Sequence, residues 1–319
     1  MPHSRCNCRC VMCDIWKGNQ DKKEITVEEL ERHLESFRNL NVRRVALSGG
    51  EALLHSNVWR FCDLLRSIGI KISLLSTGLT IAKHAEEITT HCDDVIVSID
   101  GPPEVHNAIR NIPQAFENLA EGVRALKASD PNFRVTGRTV IQKLNYHTFP
   151  AIIQTAQNIG LDQISFLGAD VSSAAFNRPE GWDDERKLEV ALNEEEVKEF
   201  EKILIRAQAD FQKEFEKKFI AEKPEKLFAI VKHYRALLDL TTFPEKKCNA
   251  PWISAVIESN GDVLPCFFHK PYGNLNNGSF EHLVNTPEAI SFRRQLNVAK
   301  DPTCQRCVCS LHVGLTQPV

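Results

Sequence analysis

The sequence predicts an α/β protein, in which βα units build a parallel sheet and a small α+β unit with clustered thiols follows. Three observations predict it. Helical and strand periodicities alternate with short breaks from residue 26 to residue 170, the pattern of βα repeats. Each strand signal there ends in polar or Gly-rich residues, and that end of a parallel sheet is where ligands bind. Of the 11 cysteines in 319 residues, four lie at Cys6, Cys8, Cys10 and Cys13 and five at Cys248, Cys266, Cys304, Cys307 and Cys309. Only Cys62 and Cys92 fall between, where a buried thiol acts as a small hydrophobe. With 42% hydrophobic and 25% charged residues the chain is neither disordered nor collagen-like. A net charge of -3 lacks the footprint of a general nucleic-acid binder. No run of about 20 apolar residues and no signal-type h-region occurs, which argues against membrane spanning and secretion. The thiols are therefore expected to serve as ligands in a reducing cytoplasm, not as disulfides.

The elements follow in order. Thr26-Val-Glu-Glu29 is a capping box opening a helix to Asn39. Val45–Leu47 reads as a buried strand ending at Ser48-Gly49-Gly50-Glu51. A helix over Asn57–Ile68, a strand over Ile72–Leu75, a helix over Ile81–Cys92 and a strand over Val95–Val97 come next, the last ending at Ser98-Ile99-Asp100-Gly101. Helix Gln114–Lys127, strand Val135–Ile141, helix Phe149–Ile159 and strand Ile164–Leu167 complete the series. Residues 170–190 read as an irregular substrate loop, and two charged helices are expected over Asn193–Phe215 and Glu225–Leu240. Ala255–Leu264 reads as a hairpin around Asn260-Gly261, placing Cys248 and Cys266 near its two ends.

Cys6, Cys10 and Cys13 have the spacing Cx3Cx2C. Three thiolates on one loop hold three corners of a cubane iron-sulfur cluster and leave the fourth iron open; a zinc knuckle that also uses Cys8 is the alternative. Cys6-Asn-Cys-Arg-Cys10-Val-Met-Cys13 followed by Ser48-Gly-Gly-Glu51 at a strand end resembles the radical S-adenosylmethionine (radical SAM) enzymes. The resemblance implies a partial (βα)6 barrel whose Cys6, Cys10 and Cys13 hold a 4Fe-4S cluster chelated by S-adenosyl-L-methionine. It further implies reductive cleavage of SAM to a 5′-deoxyadenosyl radical that abstracts hydrogen from a substrate, with an electron donor such as flavodoxin or ferredoxin. Gly49 and Gly50 are read as letting the backbone approach the methionine moiety, and Glu51 as an acceptor for its ammonium group. By the same resemblance Ser76, Thr77, Ser98, Asp100 and Asn145 are candidate cofactor contacts. His106 and Arg110 read equally as loop residues, and Met12 and Trp16 as packing. Family barrels carry a strand before the cysteine loop, where only Met1–Arg5 precede Cys6, so either the chain start is truncated or the first strand is lacking.

Cys248 and Cys266, then Cys304-Gln-Arg-Cys307, form Cx17C and Cx2C pairs that suit zinc or a fully ligated iron-sulfur cluster alike. Together with Gly261 they resemble the SPASM/twitch auxiliary-cluster subgroup, which implies that these four hold a second 4Fe-4S cluster, in the shorter one-cluster form. Cys309 is a spare or an alternative ligand; Cys309 and Cys8 are candidate hydrogen donors. The expected organisation is a barrel over 1–170, a helical linker over 171–245 and a twitch-like cluster domain over 246–319. The expected function is that of a radical SAM oxidoreductase or epimerase acting on a small amino sugar or cyclitol-like metabolite. A peptide-modifying enzyme is the alternative, set second for want of an N-terminal peptide-capture module. A non-catalytic iron-sulfur or zinc protein is the third reading.

Overall fold

The computed structural model describes residues 1–314. Strands β1 (Arg44–Leu47), β2 (Lys71–Ser76), β3 (Asp94–Ser98), β4 (Arg134–Ile141) and β5 (Gln163–Gly168) form one sheet in the order β1-β2-β3-β4-β5, every pair parallel. The helices between them are α1 (Val27–Asn39), α2 (Val58–Ser67), α3 (Ala85–His91), α4 (Pro103–Arg110), α5 (Ala115–Ser129) and α6 (Phe149–Asn158). This is the partial barrel expected. Residues 1–5 add no strand to the sheet; His3 makes a single antiparallel bridge with Glu24.

Strand alternation decides what each face does. One face carries Val95, Val97, Val135, Ile141, Ile164 and Phe166, all buried against Leu119, Val123 and Leu126 of α5 and Phe149, Ile152 and Ile153 of α6. Burying each such side chain contributes about 1.5–3 kcal/mol. Gly137 lies in this layer because a Cβ there would come 2.8 Å from Leu161 and 2.9 Å from Ile99. The opposite face is polar: Arg44 reaches across two strands to Ser73 Oγ and Asp94 Oδ2, both at 2.7 Å.

Thr26 caps α1 in the capping box read from sequence. The helix expected over 81–92 is a 3-10 turn (Ile81–His84) followed by α3, the backbone leaving helical geometry at His84 (φ -121°, ψ 21°). Between residues 100 and 190 two helices escaped the sequence reading, as did the short helices of the C-terminal part. Residues taken as a loop after Gly101 form α4, with Pro103 in its first turn. The stretch 170–190 ends in α7 (Asp184–Val190), capped by Asp183.

Next come α8 (Glu194–Asp210), α9 (Gln212–Glu216), split from α8 at Phe211, and α10 (Pro224–Leu237). Between α9 and α10, Ile220 bridges Ile164 in parallel and continues the sheet past β5. Helices α8 and α10 bury Phe200, Leu204 and Tyr234 in the core shared with the sheet. Tyr234 Oη donates to Ile141 O at 2.5 Å and accepts from Ala169 N at 2.9 Å, fixing α10 to the ends of β4 and β5.

The last part holds α11 (Ala250–Ile253), the hairpin β6 (Val256–Ile257) and β7 (Asp262–Leu264), a third strand β8 (Gly273–Asn274), then α12 (Phe280–Leu283), α13 (Pro287–Gln295) and α14 (Pro302–Arg306). Gly261 turns the hairpin at φ +88°. Among the described residues no helix is long and apolar enough to cross a membrane.

Candidate active site

The cysteine loop is pinned from three sides. Asn19 clasps its start: Cys6 N donates to Asn19 Oδ1 and Asn19 Nδ2 donates to Cys6 O, both at 2.8 Å. The C-terminal end of α4 holds its middle, with Arg9 N donating to Arg110 O (3.1 Å) and Val11 N to Ile109 O (3.0 Å). Trp16 Nε1 donates to Cys13 O at 2.9 Å, so Trp16 braces the loop, while Met12 packs on the cluster of Ala169, Val171 and Trp182. Asn19 had no sequence signal.

Each expected ligand sulfur accepts one N–H: Cys6 Sγ from Cys8 N (3.4 Å), Cys13 Sγ from Ile15 N (3.5 Å) and Cys10 Sγ from Arg110 Nη1 (3.6 Å). That donor set suits thiolates. Cys8 is buried and turned onto Cys10, whose thiol drops to about 7 through the Cys8 hydrogen bond and the Arg110 charge, against the opposing effect of burial. Burial pushes Cys6 up to about 12 and Cys13 up to about 11. A tetrahedral zinc site needs sulfurs within ~3.8 Å of one another, given Zn–S bonds of about 2.3 Å. Among the described residues only His269, Asp301 and Cys304 bring three ligand atoms within 4.8 Å, so the loop does not show that spacing.

The strand ends meet the loop directly. A Cβ on Gly50 would lie 2.2 Å from Arg5 O and 2.6 Å from Cys6 Cβ, and one on Gly49 (φ +136°) 3.0 Å from His3 O. The glycines therefore make room for the cysteine loop itself, a role that sequence reasoning had given to the cofactor's approach. Glu51 is fully buried and joins two strand ends. It accepts from Leu53 N (3.1 Å), Ser76 Oγ (3.0 Å), and Thr77 N and Oγ1 (both 2.7 Å), and burial raises its carboxyl pKa in spite of these donors. Three expected cofactor residues thus form one network.

Asp100, fully buried, pairs with Arg110 Nε at 2.6 Å and lies 3.5 Å from His106 Nδ1. It carries Arg110 to Cys10. Burial raises the Asp100 pKa, with Arg110 opposing. His106 and Arg110, treated as equally good loop residues, are buried members of this network. Asn145 is spent on the fold: Nδ2 donates to Asp100 O and Val140 O, both at 3.0 Å, and Oδ1 accepts from Gln142 N at 2.8 Å. Ser98 stands on the inner face beside Arg138. At this end Asp100 Oδ1, His106 Nε2, Asn7 Nδ2 and both amide atoms of Gln142 are buried without a partner. Such groups are costly alone, so the lining fits a polar guest such as SAM and the loop fits a three-thiolate cluster.

The second cysteine set gathers Cys248, Cys266, Cys304 and Cys307, all partly buried. Cys266 feels the charge of Cys248, and both Cys304 and Cys307 feel that of Cys266. Cys266 accepts backbone N–H bonds from Phe268 and His269, and Cys307 Sγ from Cys309 N at 3.2 Å. Asp301 caps α14 at Cys304 N (2.9 Å), and His269 Nε2 sits 3.4 Å from Cys304 Sγ. Burial pushes Cys304 and Cys307 up to about 12. His269 had not been singled out. Cys309 is exposed and faces Arg138, Asp170 and Lys226.

The segment from Asp170 to Trp182 touches both cysteine regions. Trp182 Nε1 donates to Asp14 Oδ2 at 2.7 Å and Asn177 Nδ2 to Asp14 O at 3.1 Å, beside Cys13. Phe176 stacks on Phe267, beside Cys266, with ring centroids 6.5 Å apart. Arg178, buried, pairs with Asp170 at 2.5 Å and anchors the segment.

Two family profiles match: the radical SAM superfamily over residues 1–156 and an iron-sulfur cluster-binding domain, SPASM, over 248–308. The antilisterial bacteriocin subtilosin biosynthesis protein AlbA of Bacillus subtilis (strain 168) is 22% identical over 293 residues, 89% of this chain and 58% of that protein. Pre-heme d1 synthase of Dinoroseobacter shibae is 27% identical over 182 residues, 56% of this chain and 44% of that protein. The chain thus spans about half the length of these curated relatives. Among solved structures, native anSMEcpe with bound AdoMet aligns with a TM-score of 0.67 and 18% identity over 96% of this chain and 84% of that one. Streptococcus suis SuiB bound to precursor peptide SuiA aligns with 0.65 and 13% over 97% and 70%.

Proposed function

Because this chain belongs to the radical SAM superfamily and carries a SPASM domain, we propose that it is an oxidoreductase that takes hydrogen from a substrate lodged in the barrel. Cys6, Cys10 and Cys13 hold the SAM-binding 4Fe-4S cluster, and Cys248, Cys266, Cys304 and Cys307 hold an auxiliary one. When bound, the first cluster and SAM supply a 5′-deoxyadenosyl radical, and the auxiliary cluster supplies an acceptor for the electron that the oxidised substrate releases. The chain's own part is placement. Asn19, α4 and Gly50 fix the loop so that three corners are occupied and one is left free. The observation that supports the reading is the Asp170–Trp182 segment, which bonds beside Cys13 and stacks beside Cys266 and so links both cysteine sets.

For the substrate, a peptide side chain is supported by the likeness to SuiB with its precursor peptide and to anSMEcpe with bound peptides. The second reading, dehydrogenation or epimerisation of an amino sugar or cyclitol, rests on the Cx17C and Cx2C spacing. A reducing cytoplasm and a flavodoxin- or ferredoxin-type donor suit either. The test is anaerobic reconstitution followed by dithionite and SAM. Release of 5′-deoxyadenosine with about eight irons per chain is expected. No release, with about four irons and zinc at the C-terminal set, would leave a non-catalytic metalloprotein.

A further inference from the structure

Cations stand on the inner face of the sheet and around the ends of its strands, and most are neutralised. Arg44 is paired with Asp94 at 2.7 Å, Arg110 with Asp100 at 2.6 Å and Arg178 with Asp170 at 2.5 Å, while Arg134 donates to the amide of Gln163 at 2.9 Å. Arg138 is different. On β4 it shares a face with Arg134, Thr136 and Val140, opposite Val135, Gly137, Thr139 and Ile141, which are buried against the helices. Its register partners are Ser98 on β3 and Ser165 on β5. Arg138 has one bond, from Nε to Ser165 Oγ at 3.4 Å. Among the described residues it forms no ion pair: the one carboxylate that feels its charge, Glu222, is engaged by Phe166 N at 3.0 Å and Lys226 Nζ at 3.8 Å, and the Ser98 hydroxyl has no hydrogen bond.

Position gives this guanidinium a use. Asp100, which holds Arg110 against Cys10, lies two residues beyond Ser98 on the same face, a step of about 6.6 Å along the strand. Arg138 therefore stands one pleat below the level of the first cysteine set. A molecule lodged against the inner face beside the first set has this fork within reach.

We propose that Arg138, flanked by the hydroxyls of Ser98 and Ser165, anchors an oxyanion of the substrate, a carboxylate or a phosphate. A guanidinium presents parallel N–H donors to such a group, and an unpaired one is available for it. The inference rests on the barrel interior being the substrate chamber, as the proposed function has it. It favours an acidic group on the substrate and disfavours one held through a free amine.

The test is phenylglyoxal footprinting of arginines on the reconstituted holoenzyme, read by peptide mass mapping. Inorganic phosphate, glutarate or chloride is added at matched ionic strength. Arg138 is expected to react readily, with Arg44 as the paired and slow internal reference. An anion at ten times its Kd slows modification about ten-fold. Protection by phosphate alone assigns a phosphorylated substrate, and protection by glutarate a carboxylate. Equal protection by chloride, or none, overturns the proposal. So does a shift of the auxiliary-cluster potential in R138Q, which would make Arg138 a counter-charge of that cluster. Release of 5′-deoxyadenosine by the same preparation reports separately on the proposed function, so the two failures are distinguishable.

Discussion

The two cysteine regions solve different problems. The first carries its three proposed ligands on one short loop, bolted to the barrel through Asn19, Gly50 and the end of α4. The second draws its proposed ligands from places far apart in the chain, on either side of a hairpin whose strands are two and three residues long. An open site must keep its geometry when one corner exchanges ligands, so its loop is fixed by the protein. A closed site gains its rigidity from its own bonds, and there ligation and local folding are one process. The barrel core of α5, α6 and the sheet needs no metal to bury its side chains; the C-terminal unit has little comparable core.

The largest expected effect comes from breaking the first region. Cys10→Ala removes the ligand that Arg110 addresses. Release of 5′-deoxyadenosine should fall below detection while iron drops by about four per chain. Retained cleavage would mean that Cys8, its neighbour in the loop, takes over as ligand. Breaking the second region should look different. In Cys266→Ala iron again falls by about four, yet 5′-deoxyadenosine release stays within a few-fold of the parent. Hydrogen exchange should accelerate over residues 248–309 and not in β1–β5. Equal acceleration in both would show that the barrel also depends on its cluster, and the contrast would fail.

The next effect sharpens the comparison within the first region. Arg110 is a buried cation on a ligand sulfur, itself held by Asp100. Loss of such an outer partner typically costs 10- to 100-fold, so Arg110→Gln should slow SAM cleavage by about that factor. An EPR-monitored titration should find the cluster harder to reduce, because a positive charge beside it is gone. Arg110→Lys keeps the charge and should recover part of the potential. A rate loss with no change in potential would assign Arg110 to loop packing alone.

Sequence made the two regions legible to different depths. The five strands were readable because each is a run of β-branched and aliphatic residues with a punctuated end, and their observed bounds differ by a residue. Ligand spacing was readable because thiol chemistry is carried by residue type. Arg110 was half readable: Pro102-Pro103 signals a helix start, and His106 and Arg110 then lie i, i+4 on one face with Asp100 before them. That reading was missed because the segment passed for a loop. Asn145 shows the opposite limit, since a polar residue after a strand reads as a ligand contact while its amide bonding to two carbonyls of the fold is invisible in sequence. His269 and Asn19 left no trace, since their partners come from packing and not from spacing.

His269 is where the comparison can be drawn most finely, because it stands to Cys304 as Arg110 stands to Cys10. The imidazole Nε2 is 3.4 Å from the sulfur, and burial lowers the ring's pKa, so the neutral form is the one presented. A neutral N–H donor brings only a dipole to the sulfur, where a guanidinium brings a full charge. Removing it should therefore move the potential less than removing Arg110 does. In His269→Phe the auxiliary cluster should remain, with iron unchanged and a potential lowered by less than the about 59 mV that corresponds to a factor of ten in a one-electron couple. Cleavage of SAM should be untouched, since it depends on the other region. If His269→Phe loses about four irons, the imidazole is a ligand and not a donor to one. The second site would then be built from mixed donors, with one of the four cysteines released from it.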